Sequence, residues 1–457
     1  MRSATLALAP LLAPLRGPSR MPLACSGASG PTFADEAGAA ALLLGTAIGG
    51  GFLATPHATA PAGALPSISV LSACWLFLLV ESWLVADLVI DEHEQMGEAA
   101  DDLAGTTSFA SLGRRAFGPV GGAAVSCTFL VLMMATLVSQ LAKASILLPA
   151  VGPLPASLQC ALLAGTLAGL ASCAPLRAVT LTNGALTLGF LASAGVLLGG
   201  MLPSAEWTRL VRADWSRAAS SIPTLLQLHV YAEIVPSVSE ALGHSRTRVR
   251  RALLVGSLLL LAVQIGWSTI GLAAIPYDGA AAGLRTDPVD ALLSRGGTVA
   301  AATAAAGATA VATTILGTAR ALYTFCVDAF RQSAPVATAD QAAEAAVADG
   351  ERGLRAQWPP ASTLAFVSLM ALPTLIASRA GTAAAFFGAI DFAGAYPVAL
   401  LWGLAPPLMC LRLRGSRLSP RRRAALAALA ALAAAFVAVN FATDVSALLG
   451  LRGARWQ

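Results

Sequence analysis

Four glycines and a threonine crowd one short apolar run: Gly45, Thr46, Gly49, Gly50 and Gly51, with Pro56 close behind. Glycine lets a helix unwind and leaves its N–H groups open to close approach. The N-terminus of the half-helix that follows carries partial positive charge, so a carboxylate fits there. A plainer reading is that small residues only allow helices to pack closely. A second run, 226–237, sets His229, Tyr231 and Glu233 among apolar residues and ends on Pro236-Ser237. Glu233 has the chemistry to hold an ammonium group or to carry a proton, since an ionisable group at membrane depth is costly enough to imply a use, and equally to form an ion pair with a neighbouring arginine near the helix end. Tyr231 would stack on an aromatic ligand or line the core, and His229, alone on an apolar run, reads as a packing residue. Thr313 and Thr314 offer hydroxyls to a ligand or an ion, although such hydroxyls often bond the preceding turn.

Breaking a helix in hydrocarbon is tolerated only where the freed backbone is buried in protein or lines a cavity. Two interrupted spans about 180 residues apart therefore point to a binding site between two halves of one repeat. The bulk of the chain agrees. Of 457 residues, 56% are hydrophobic and 12% charged, and the mean hydropathy is +0.72. An ordinary soluble domain is nearer a quarter charged. The net charge of +5 sits in short loops between apolar runs, which sets membrane topology and does not signal nucleic acid. The seven cysteines show no metal-ligand or disulfide spacing. Neither a hydrolase motif nor an ATP-binding loop is present, so the chain is not expected to be an enzyme, to hold a metal or cofactor, or to use ATP.

Windows of about 20 apolar residues give about eleven spans: 36–64 (broken), 65–90, 120–148, 157–174, 178–202, 222–242 (broken), 252–275, 298–326, 360–377, 383–411 and 424–449. The hydrophilic stretch 328–358 reads as a loop between the eighth and ninth. Other polar residues fall inside spans. Glu81 and Asp87 lie on the second, and Lys143, the one lysine, is expected to snorkel from the third. Arg320 and Asp391 are candidates to pair with Glu233 or with each other.

The run from Gly45 to Pro56, then Pro61-Ala62-Gly63 and Cys74-Trp75-Leu76-Phe77, resembles the first two helices of the bacterial tyrosine- and tryptophan-specific permeases. These form the hydroxy/aromatic amino acid permease family of the amino acid/polyamine/organocation superfamily. Glu233 to Ser237 with Arg248 to Gly256 and Trp267, Thr313 to Gly317, and Phe387 to Met409 are similar to later helices of the family. The resemblance implies an all-α polytopic fold of two inverted five-helix repeats, leucine-transporter-like, with broken first and sixth helices and a final helix appended. It implies proton-coupled symport of tyrosine or tryptophan by alternating access, with Gly45, Thr46, Gly49, Gly50, Gly51, Tyr231, Ala232, Thr313 and Thr314 at the substrate and Glu233 at the coupling ion. Ala232 stands where many members carry a His, which leaves open an amino acid or solute carrier without proton coupling. A non-transporting sensor or assembly protein on the same scaffold is the other alternative.

Residues 1–34 carry Arg2, Arg16 and Arg20, contain no Asp or Glu, and are rich in Ala, Ser and Pro. That composition is expected of an organellar transit peptide preceding a transporter domain at 35–457. A chloroplast membrane, the inner envelope, is the expected location, with mitochondrial or plasma membrane as alternatives. Arginines such as Arg246, Arg248, Arg250, Arg251 and Arg421 to Arg423 concentrate on one side of the spans, which places the N-terminus on the inner face.

Overall fold

A computed structural model of the chain describes residues 33–96, 109–148, 154–275, 288–333, 360–380 and 383–449. The transit-peptide segment up to residue 32 and the hydrophilic stretch from 334 to 358 lie outside the described residues. Among the described residues the regular structure is helical. In chain order the helices are α1 (Phe33–Ala47), α2 (Thr55–Thr59), α3 (Ala64–Met96), α4 (Phe109–Leu147), α5 (Ala156–Cys173), α6 (Leu176–Met201), α7 (Ile222–Gln227), α8 (Val235–Ala241), α9 (Arg246–Ala274), α10 (Pro288–Leu293), α11 (Gly297–Ser333), α12 (Pro360–Ala380), α13 (Ala383–Ala393), α14 (Ala405–Arg414) and α15 (Pro420–Leu448). A π-helical stretch, Gly394–Leu404, joins α13 to α14.

Nine described helices are long and apolar enough to cross a bilayer, and α1 with Gly50–Thr59 forms a tenth span bent by 53°. The expected count of about eleven is not reached this way. The sixth expected span is made of α7, a 3₁₀ turn at Ala232–Ile234 and α8, pieces too short to pass such a test. Two boundaries also differ from the sequence expectation. The third span begins at Phe109, because the expected loop at Arg114-Arg115 is helical and folds back at Gly118, whose φ of 75° breaks the helix before Pro119. The eighth runs on to Ser333, past the expected start of the hydrophilic loop.

The first broken span lies along α9, which presents small residues to it. A Cβ on Gly256 would sit 2.9 Å from the Ala40 carbonyl, and one on Gly271 would sit 2.6 Å from Pro56. Small residues let backbones approach where no water competes. Phe52 is fully buried, stacked on Trp267 with centroids 5.0 Å apart and edge-on to Phe190 at 5.0 Å. Thr55 Oγ1 donates to Gln264 Oε1 at 2.6 Å, and Ser268 Oγ to Thr59 Oγ1 at 3.2 Å. Ring and hydroxyl contacts thus fix the outer half-span to α9.

The far end of that span is capped by the loop before α7. Arg212 donates to the Ala60 carbonyl at 3.0 Å and to the Pro61 carbonyl at 2.7 Å, and Asp214 N–H donates to Ala62 O at 2.8 Å. A cation on terminal carbonyls satisfies groups the helix leaves open and suits its dipole. Gly63 has φ 84°, and a Cβ there would meet the Arg212 carbonyl at 2.2 Å, so the turn needs glycine.

At the opposite face, Asp87 is 1% exposed and gathers three arginines from two other helices. Arg250 approaches at 2.8 Å, Arg246 at 3.5 Å and Arg414 at 3.7 Å, and Arg414 also donates to the Asp87 carbonyl at 2.7 Å. Arg246 and Arg414 both also pair with Asp91. The cluster joins α3, α9 and α14, so arginines expected to set topology are also structural bolts. Removing one partner of a buried ion cluster leaves charge uncompensated, at a cost of about 3–5 kcal/mol. Asp87→Asn is therefore expected to lower the thermal midpoint of the purified protein markedly while Glu206→Gln, on an exposed pair, leaves it within a degree or two.

Candidate functional site

The sequence of α1 stops being helical at Ile48 and Gly49. Gly49 is extended, with φ −64° and ψ 179°, and Gly50–Ala54 resumes as a 3₁₀ turn. Across from it, α7 ends at Gln227 and backbone from Leu228 to Tyr231 is unwound before the turn at Ala232–Ile234. Both breaks face a shared cavity of about 30 Å³ lined by Thr46, Gly49, Gly51, Thr136, Gln140, Gln227, Glu233 and Thr314 among others.

Within it, the glycines do separate jobs. Gly49 touches Thr314, where a Cβ would fall 2.7 Å from the hydroxyl, and Gly51 touches Leu228, where a Cβ would fall 2.3 Å from a methyl. Gly50 N–H donates to Gln140 Oε1 at 2.7 Å. Gln140, 4% exposed on α4, thus holds the very kind of backbone donor that the sequence assigns to a carboxylate. A carboxamide oxygen stands in for that carboxylate, and a ligand must displace it or bind beside it. Thr314 donates to the Thr46 carbonyl at 3.3 Å, satisfying an acceptor freed by the break, while the Thr46 hydroxyl bonds Leu42 O at 2.9 Å. On α7, Gln227 Nε2 donates to Thr136 Oγ1 at 3.2 Å.

Five of the residues expected at the site therefore meet at the cavity: Thr46, Gly49, Gly51, Thr314 and Glu233. Gly50 stands at its edge through Gln140. Gly45 packs against α6, where a Cβ would be 2.1 Å from Thr187 Oγ1. Thr313 turns to its own helix, donating to Ala310 O at 2.8 Å. Tyr231 and Ala232 are buried behind the cavity wall. His229 is fully buried with Nδ1–H donating to Leu225 O at 2.9 Å, the packing role expected of it. Lys143 departs from expectation: it is 0% exposed and does not snorkel, and its ammonium lies 4.6 Å from the centre of the Phe386 ring. Attraction to the ring face is one of the contacts that hold it inside.

A second cavity of about 70 Å³ adjoins the first on the side of α1 and α8, and Thr46 and Glu233 line both. Glu233 Oε2 is buried without a hydrogen-bond partner. The expected pairing of Glu233 with Arg320 does not form among the described residues: Arg320 instead donates to Ala171 O at 2.9 Å. Asp391 accepts from Thr224 Oγ1 at 3.2 Å. Gln140, Thr136, Gln227 and Asn183 are site residues that sequence reading passed over. They are uncharged amides and a hydroxyl inside apolar runs, a signal present in the sequence but weaker than an ionisable group.

Comparison with other proteins fits this geometry. A mutant manganese transporter of Eremococcus coleocola superposes with a TM-score of 0.56 at 13% identity, covering 91% of this chain and 88% of that one. A nucleobase-cation-symport-1 family transporter, closed and with bromovinylhydantoin bound, gives 0.56 at 12% identity over 86% and 82%. At such identity the likeness speaks to fold, the leucine-transporter-like arrangement of inverted repeats. A Tyrosine-specific transport system 2 of Haemophilus influenzae is 27% identical over 237 residues, which is 50% of this chain and 56% of the relative, so the match spans little more than half of that relative's length. The model of the tryptophan/tyrosine permease family matches residues 35–439, nearly all of the broken spans, both cavities and the helices around them, and this integral multi-pass membrane chain belongs to that family.

Proposed function

We propose that the protein is a secondary active transporter of an aromatic amino acid, tyrosine or tryptophan, working by alternating access with a proton as the coupling ion. One observation carries the reading: two broken helices face each other across a cavity that holds bare backbone, hydroxyls and one carboxylate, Glu233. The name of the Haemophilus influenzae relative supports the substrate class. The α-carboxylate goes to the N–H groups of Gly50 and Gly51, displacing Gln140, and Thr314 bonds it from the side, while the Gly49 N–H stays on Ala47 O at 3.0 Å. Glu233 carries the proton, being reachable from both cavities.

The cavity of about 30 Å³ is far below the ~300–1,000 Å³ of small-molecule sites, so an amino acid enters only when the half-helices part. Alternating access supplies that motion. Ala232, where family members often carry a His, favours a second reading, the same transport without a proton. Residues 1–34 keep the organellar address as a proposal, read by fusing them to a fluorescent protein.

Proteoliposomes holding the full chain should accumulate labelled tyrosine or tryptophan against its gradient when the outside is acidified, and leucine much less. Equilibration without accumulation would remove the proton and leave the carrier. Gly49→Leu, which places a side chain where even a Cβ falls 2.7 Å from Thr314 Oγ1, is expected to abolish uptake in a protein that still inserts and elutes as a single species. Glu233→Gln should retain exchange of internal for external substrate but lose the response to a pH gradient; a normal response would reassign the coupling group.

A further inference from the structure

The cavity on the side of α1 and α8 holds an unmatched set of groups. Asn183 on α6 is 1% exposed, and both its amide oxygen and its amide nitrogen are buried with no hydrogen-bond partner. Buried polar atoms in native proteins are nearly always satisfied, so an unpartnered amide that lines a void marks a place for a ligand. Arg320 on α11 lines the same void. It gives one N–H to Ala171 O, lies 5.6 Å from the centre of the Tyr323 ring and feels the exposed Glu240, but makes no ion pair among the described residues, although a guanidinium has five donors. Glu233 lines it too, with Oε2 unpartnered. The rest of the wall is mostly apolar and includes three phenyl rings: Phe109, Phe129 and Phe325 each lie at or below 9% exposure, and the Phe129 and Phe325 rings stack with centroids 5.2 Å apart.

A guanidinium, a carboxyl and a free amide that share a cavity without pairing to one another match the two charged ends of an amino acid, and the three phenyl rings match an aromatic side chain. We propose that this cavity is a second binding site, a transit subsite that holds the aromatic amino acid between the central cavity and the inner face. The proposal rests on the transport reading above. Arg320 takes the carboxylate in a charge-assisted pair, one oxygen of Glu233 accepts from the ammonium while the other holds the coupling proton, Asn183 bonds either, and the rings pack edge-on or offset against the substrate ring. Both cavities share Thr46 and Glu233, so the ammonium keeps one partner while the carboxylate moves from the glycine N–H groups to Arg320. At about 70 Å³ the subsite is too small for tyrosine here, and two of its walls, α1 and α8, are half-helices whose separation would enlarge it as the inner side opens.

The test uses the full chain in proteoliposomes sorted by orientation, with tyrosine offered from either face. In Arg320→Gln the half-saturating concentration at the inner face should rise about tenfold or more, since a charged hydrogen bond is lost. At the outer face it should stay within about twofold, with maximal rates shifting to keep the two directions equally efficient at equilibrium. Arg320→Lys should restore part of the loss. Tyramine, which has no carboxylate, should inhibit from the inner face equally in wild type and Arg320→Gln. Asn183→Ala, a smaller change that guards against misfolding of the arginine variants, should weaken inner-face binding in the same one-sided way. Equal weakening at both faces, or no change at either, would overturn the subsite while leaving transport in place. A wild-type protein that moves neither tyrosine nor tryptophan would overturn both readings.

Discussion

Every feature of this protein follows from the absence of water at the depth where two of its helices break. A backbone N–H or C=O left bare in hydrocarbon costs several kcal/mol, so a broken helix must find partners inside the protein. Here the partners are side chains from other helices. Gln140 accepts the N–H of Gly50, and Thr314 donates to the carbonyl of Thr46. Those groups are both the supports of the closed form and the groups a substrate must replace. The same chemistry that stabilises the break makes it a binding site.

The two halves of the first span are held with unequal strength. The outer half is fixed by the Phe52 stack on Trp267, by buried hydroxyl bonds to Gln264 and Ser268, and by the Arg212 cap. The inner half is tied at its start by Glu36 to Arg248 at 3.8 Å and Arg251 at 3.3 Å, pairs that stand partly in solvent. Exposed pairs of that kind contribute about 0–1 kcal/mol. The buried cluster around Asp87 sits beside this latch but joins α3, α9 and α14, and so leaves α1 out. The inner half-helix also packs closely, Ala40 on Gly256 and Gly45 on Thr187, but its ion pairs stand nearer solvent than the ties of the outer half. Its motion would open the cavity of Asn183, Glu233 and Arg320 while the outer half stays docked.

Much of this was legible in the residues themselves. Hydropathy marked the spans, and the glycines with Pro56 marked the first break, because a proline after so many glycines favours unwound backbone over packing alone, although Gly45 serves packing. The sixth span was legible as broken through Glu233 and Pro236, although its pieces are too short to register as a crossing. Boundaries were less legible where Gly118 alone decides whether a basic stretch is a loop or a folded-back helix. Within the site, the sequence drew attention to ionisable and aromatic residues, and the geometry divided them: Glu233 faces both cavities, whereas Tyr231 and Thr313 turn away.

By itself, the sequence determined that the chain lives in a bilayer, where its helices break and which family it resembles, because composition, spacing and glycine content act locally and need no neighbour. Which helix faces which was decided only by the tertiary structure. Rotation about a helix axis puts Gln140 under Gly50, hides Lys143 beneath Phe386 and leaves Arg320 apart from Glu233. Such placements depend on contacts between residues far apart in the chain, where one side chain satisfies another's buried polar group, and no local pattern records them.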